Sequence, residues 1–234
     1  MSFPFAAAGT LRLQNTSRRI TLALLGFVIL NASCVPQFPP AGKLTPLKLD
    51  EPKEAALTFV RAIGAGDPET AKAASLGTER QKRWAVSTAI MVSGLRAFDA
   101  ATTARFGPAA AGTHMNIINL LNSVTTEPEQ AVENAAVRMS LDEQTAEVAA
   151  VSRIYAAHMY YASRVRKTAQ GWKVDLPAIL ASNPQFMMIN ESPKLDQLVS
   201  TGNAMRDLAK DIRAGKYATI EAAEAAADDI SPKD

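Results

Sequence analysis

Residues 159–175, MYYASRVRKTAQGWKVD, read as two strands joined by a tight turn. Side chains alternate along a strand, so Tyr161, Ser163 and Val165 share one face of Met159–Thr168 while Arg164 and Arg166 share the other. Ala169-Gln170-Gly171 supplies the turn, and Trp172 and Val174 then fall together on the returning strand. One face is apolar and the other charged, the pattern of an antiparallel sheet with one dry and one wet side.

Working upstream, Ala135, Val137, Met139 and Leu141 alternate with other residues and predict a further strand. Asp142 to Gln144 makes a turn, and Thr145–Val151 returns with Val148 and Val151. Residues 113–124 are apolar most of the way round, which predicts a short helix lying under something.

The segment before these strands reads as helices. Pro52 suits a first turn, with Asp50 or Glu51 as the cap, and Ala56, Phe59, Val60 and Ile63 fall on one face. Gly64 and Gly66 end that helix, and Asp67-Pro68 opens a short second one. Thr78 with Gln81 forms a capping-box pair. Trp84, Thr88, Met91, Leu95 and Phe98 follow at alternating spacings of four and three, one mostly apolar face that Gly107-Pro108 closes. Both tryptophans, Trp84 and Trp172, are expected in the core. Past Pro177 the chain turns helical again. Ser192-Pro193 begins a helix carrying Leu195, Leu198, Val199, Met205, Leu208 and Ile212, Gly215 stops it, and Thr219 caps a last Ala- and Glu-rich helix. Phe186–Ile189 is an apolar run between turn signals, expected to pack against the C-terminal helix.

The 234 residues are 47% hydrophobic, with only 6% aromatic, so the core is built lean on alanine. The formal net charge is +2, but residues 1–33 hold Arg12, Arg18 and Arg19 and no acid; subtracting those three leaves about −1. A near-neutral domain has no long-range field for nucleic acid, which sets that class of partner aside.

Those 33 residues have the layout of an export signal. A basic stretch precedes an eleven-residue apolar run, Ile20 to Leu30, and Asn31-Ala32-Ser33 offers small side chains before Cys34. The run is shorter than the roughly 20 residues a spanning helix needs, which favours cleavage over a permanent anchor. Cys34 is the one cysteine, so an intrachain disulfide is excluded. Pro36, Pro39, Pro40 and Pro46 then mark residues 34–50 as an extended spacer, with few large apolar groups to pack on a domain beginning near Asp50.

Leu30-Asn31-Ala32-Ser33-Cys34 resembles a bacterial lipobox, with Asn31 where the pattern has leucine. The resemblance implies an acylated Cys34 as the mature N-terminus and, through it, a membrane partner; ordinary cleavage near the same point is the alternative. Ser17-Arg18-Arg19-Ile20-Thr21-Leu22 is similar to a twin-arginine signal, with Thr21 in place of a bulky apolar residue. Residues 51–177 resemble a nuclear transport factor 2-like domain. Glu54–Val60 with Gly66-Asp67-Pro68 matches the first helix and helix break of that family, and Gly171-Trp172-Lys173-Val174 its last hairpin. The resemblance implies an α+β fold in which N-terminal helices pack on a curved antiparallel sheet, a cone with a concave pocket. Residues 178–234 are a helical extension to that pattern.

Such a cone could hold a small apolar ligand or a protein partner, or act as an isomerase, dehydratase or cyclase. Chemistry of that kind needs a buried acid or base. His158, with Tyr161 and the neighbouring Tyr155 and Tyr160, is the candidate, but no carboxylate is spaced to orient the histidine. Asp175 reads as a cap for the turn at Pro177, and Asp99 as solvent-facing. His114 and His158 have no Cys, Asp or Glu at ligand spacing, and no phosphate-binding glycine loop occurs, so neither metal nor cofactor is assigned. The expectation is a binding or structural module of the bacterial cell envelope, on the periplasmic or outer side.

The signal reading makes a direct prediction. Intact mass spectrometry of the membrane fraction should find a chain starting at an acylated Cys34, and Cys34→Ala should move the protein to the soluble fraction. A mature mass starting elsewhere, or an unmodified Cys34, contradicts it.

Overall fold

The computed structural model describes residues 46–108, 110, 126–149, 164–182 and 193–230, all within the unit Pro39–Asp234. The signal, Cys34, most of the spacer, residues 113–124, Tyr155, His158, Tyr160, Tyr161 and Phe186–Ile189 lie outside the described residues.

Helix α1 (Pro52–Ala65) starts with Pro52 in its first turn. Glu51 holds the cap position, but neither expected acid caps: the Glu51 side chain makes no capping hydrogen bond. Gly66 closes the helix in the left-handed conformation, and its N–H donates to the Ile63 carbonyl at 3.0 Å. Ala56, Phe59, Val60 and Ile63 are buried as expected, and so are Ala55, Leu57 and Ala62. The burial runs round most of the helix because α1 is packed by the sheet and by three other helices.

Asp67 caps α2 (Pro68–Ala73), accepting from the Thr70 N–H at 3.0 Å. Strand β1 (Ser75–Leu76) follows, two residues too short to show any alternation. Helix α3 (Glu79–Phe106) opens on the expected capping box, with the Thr78 N–H donating to Gln81 at 2.8 Å and the Gln81 N–H to the Thr78 hydroxyl at 3.4 Å. At 28 residues it is about 42 Å long. Thr88, Met91, Leu95 and Phe98 are buried, whereas Trp84 is only partly buried at the margin of the core, a correction to its expected place. Trp172 is 4% exposed, as expected of a core residue. Asp99 is half-buried rather than solvent-facing.

Helix α4 (Thr126–Glu133) packs on α1, and Arg61 of α1 joins the two by ion pairs to Glu129 at 2.6 Å and Glu133 at 2.9 Å. Partial burial works against the Arg61 charge, but the two carboxylates outweigh it and hold its pKa above the ordinary value. At this exposure the pairs contribute about 0–1 kcal/mol each, so they orient α4 more than they stabilise it.

Strands β2 (Ala136–Met139), β3 (Thr145–Ala149), β4 (Arg164–Thr168) and β5 (Gly171–Asp175) form an antiparallel run, and β1 pairs parallel to β5, giving the order β1-β5-β4-β3-β2. The protein is therefore α+β with a mixed sheet, where an antiparallel one was expected. Met139, Ala146, Val165 and Val174 stand in one cross-strand row. Ala146, Val165 and Val174 are buried against α1, but Met139 is 45% exposed and Val137 37%. Val137 and Met139 share the face of β2 that alternation predicts, yet β2 is the edge strand and reaches beyond the helix cover. Leu141, expected in that strand, sits in the following turn and is fully exposed.

Two residues assigned to the spacer also pack on the domain. Leu49 is 8% exposed and its carbonyl accepts from the Trp172 N–H at 2.7 Å. The Thr58 hydroxyl donates to the Lys48 carbonyl at 3.0 Å.

Helix α5 (Leu176–Ser182) buries Leu176, Ile179 and Leu180. Helix α6 (Lys194–Arg213) lies along α3, and α7 (Ile220–Ile230) packs on α6 and α3 with Ala223 and Ala227 buried. Gly94 and Gly202 set the α3–α6 separation. A Cβ on Gly94 would stand 2.1 Å from the Gly202 carbonyl oxygen, and one on Gly202 would stand 2.5 Å from that of Ile90. Arg83 pairs with Asp196 at 2.7 Å, and Arg206 donates to the Ile90 carbonyl at 3.3 Å.

Gly94→Ala should lower the melting temperature. Alanine gains up to about 1 kcal/mol in helix propensity. The new methyl meets backbone, which cannot rotate aside, and overpacking of that kind costs about 1–3 kcal/mol or more. A raised or unchanged melting temperature in a circular-dichroism melt would contradict the close crossing.

Candidate functional site

The face of the sheet opposite α1 carries charge. Alternation places Arg138 of β2, Glu147 of β3 and Arg164 and Arg166 of β4 on that side, all exposed. With Ser140 and Asp175 they line a recess of about 370 Å³. That volume lies within the range of small-molecule sites, roughly 300–1,000 Å³.

The register fixes which charges are neighbours. Arg138 stands opposite Glu147, and Glu147 opposite Arg164, so one cross-strand row alternates positive, negative, positive. Opposite charges facing each other across strands usually attract. Here none of the three side chains makes an ion pair or hydrogen bond among the described residues. They are exposed, and their long stems leave the charged ends in water at the rim of the recess.

Asp175 behaves differently. It is 3% exposed, at the point where β5 runs into α5. One carboxylate oxygen accepts from Arg166 at 2.6 Å and the other from the Ala178 N–H at 3.1 Å. The second bond is the capping role expected of Asp175 near Pro177. The first was not visible in the sequence, because it crosses between strands. A buried carboxylate with both oxygens bonded is a structural joint, and it holds Arg166 at one wall of the recess.

At the other end the β2–β3 turn is held by Asp142, which accepts from the Ser140 hydroxyl and from the Gln144 N–H at 3.0 Å. Those bonds, the Ser140 one foremost, hold the Asp142 pKa below the ordinary carboxylate value. Glu143 takes positive φ, at 54°, to complete the turn.

The site residues named from the sequence, His158 and Tyr161, lie outside the described residues, as does Cys34. Trp172 faces the core side of the sheet; Lys167, its neighbour across the hairpin, stands 6.0 Å from the ring centroid. Among the described residues no group of three or more His, Cys, Asp or Glu is placed to hold a metal ion, and no helix is long and apolar enough to cross a membrane.

Asp175→Ala tests the joint. It removes a helix cap worth about 1 kcal/mol and the partner of Arg166, so a loss of about 1–2 kcal/mol in denaturant unfolding is expected. A change within about 0.5 kcal/mol would place Asp175 among ordinary surface substitutions.

Comparison with protein-family models, curated proteins and solved structures finds no match for this chain, so its function has to be argued from its own residues.

Proposed function

We propose that this chain is an exported, lipid-anchored binding module of the bacterial cell envelope, built on a nuclear transport factor 2-like cone. The signal layout, the lone cysteine after small residues and the Pro-rich spacer support the anchor. The order of α1, its Gly66-Asp67-Pro68 break, α2 and a closing β4–β5 hairpin is compatible with the cone. Where such a cone would open between helix and sheet, the described side chains instead fill the space with Phe59, Trp172 and Val174. The binding surface of this reading is the charged recess on the other face.

The observation that carries binding over catalysis is the engagement of Asp175. Among the described residues it is the one buried acid lining the recess, and both its oxygens are taken. Arg138, Arg164 and Arg166 offer N–H donors and no acceptor, which suits them to holding a ligand's oxygens. Glu147 is exposed and lacks the water-poor setting that proton abstraction from carbon needs. These side chains can hold a ligand and orient it.

On this reading the enzyme alternative, an isomerase, dehydratase or cyclase working through His158 and Tyr161, has a decisive test. In a deletion strain scored for envelope integrity, His158→Ala and Tyr161→Phe should each restore the wild-type phenotype. Failure of both, with normal folding and export, would favour the enzyme.

A further inference from the structure

The ligand class of the recess can be taken further, on the reading that this face is the binding surface. We infer that Arg138 and Arg164 together hold a small oxyanion, a phosphate or carboxylate group, across the sheet above Glu147.

Three observations lead there. First, the two arginines stand on strands separated by one intervening strand, so their backbones are roughly 10 Å apart. Their long side chains can reach inward from opposite sides of the recess and meet on one group. Second, neither guanidinium is committed to a partner among the described residues, although a carboxylate stands in register with each. Arg166, by contrast, is fixed by Asp175. Among the described residues the recess thus has one anchored cation and two without a partner. Third, the charge balance favours an anion. Among the described residues its lining holds three arginines against Glu147 and Asp175, and Asp175 is neutralised within its own pair. An oxyanion would complete the coordination of two planar forks, each with paired N–H donors suited to such oxygens.

Glu147 gives the inference its sharpest consequence. It sits between the two cations, so it repels a bare oxyanion and keeps the arginines from trapping any passing anion. Removing its charge should tighten binding of a simple anion, while removing either arginine should weaken it. A mere net-charge effect would act equally at any exposed arginine, so the response has to be confined to this row.

The probes are inorganic phosphate, followed by isothermal titration calorimetry, and sedimentation with phosphatidylglycerol vesicles against phosphatidylcholine vesicles. The protein is the mature chain with Cys34→Ala, so that no acyl group contributes. Arg138→Gln and Arg164→Gln should each weaken binding by about tenfold or more, the loss typical of one charge-assisted contact. Glu147→Gln should strengthen phosphate binding several-fold. Arg213→Gln, an equal change of net charge on the exposed side of α6, should leave binding unchanged. Arginine-dependent binding to free phosphate identifies a soluble ligand. Arginine-dependent binding to phosphatidylglycerol vesicles alone identifies a lipid headgroup, and both outcomes uphold the oxyanion site. No binding to either probe, or binding that Arg213→Gln weakens as much as Arg138→Gln, overturns it. Such a failure leaves the lipid anchor untouched, since acylation of Cys34 is read separately by mass.

Discussion

The close crossing of α3 and α6 is the constraint on which the helical layers depend. Two backbones meet at Gly94 and Gly202 with no room for a methyl group on either. A chain poor in aromatics and rich in alanine buries little area per side chain, so its elements must approach closely to exclude water. Glycine at the crossing permits that approach, and Leu195, Met205, Leu208 and Ile212 are buried along the same helix as a result. Helix α3 is then covered on two sides, by α6 and by α1. With α1 held against it, the sheet has a fixed surface on which to lay Val165, Trp172 and Val174. The arginines of the far face are placed by this chain of contacts.

The sheet is built so that its two faces follow different rules. The inner face loses water, and its alternation of Ala146, Val148, Val165, Trp172 and Val174 needs no partners beyond one another and α1. The outer face keeps water, and there the pairing of charges is selective. Arg166 has a buried carboxylate to hold it, because Asp175 would otherwise be an uncompensated charge at a helix start. Arg138, Glu147 and Arg164 lie where water already solvates each of them, so pairing gains little. The same row can therefore remain open to a ligand at small cost in stability.

Local signals made much of this legible. The first-turn Pro52 and the caps Asp67 and Thr78 mark three helix starts, and the β4–β5 hairpin follows from alternation on either side of a turn. What escaped reading depends on distant partners. Strand β1 has two residues, and its parallel pairing with β5 joins positions nearly a hundred residues apart. Trp84 matched an apolar stripe, but α3 is buried on more than one side, so that stripe alone does not define its core face. Gly94 and Gly202 carry no side chain for a hydrophobic pattern to register. Arg164 and Arg166 were placed on one face from the sequence, yet only strand register could set Arg138 and Glu147 beside them or join Arg166 to Asp175.

The two edges of the sheet differ in a way that bears on where partners could approach. Beyond β5, Leu49 accepts the Trp172 N–H, the Ala74 carbonyl accepts the Val174 N–H, and β1 pairs alongside. Two short pieces of chain thus cover an edge that a full strand would otherwise have to protect. The last of these to be expected was Leu49, because a Pro-rich spacer gives no hint that its end will pair with a hairpin. Its carbonyl joins the residue whose ring closes the core, so the incoming chain is fastened to the domain at Trp172 itself. The segment from Lys48 onward is thus fastened to the sheet that carries the charged face.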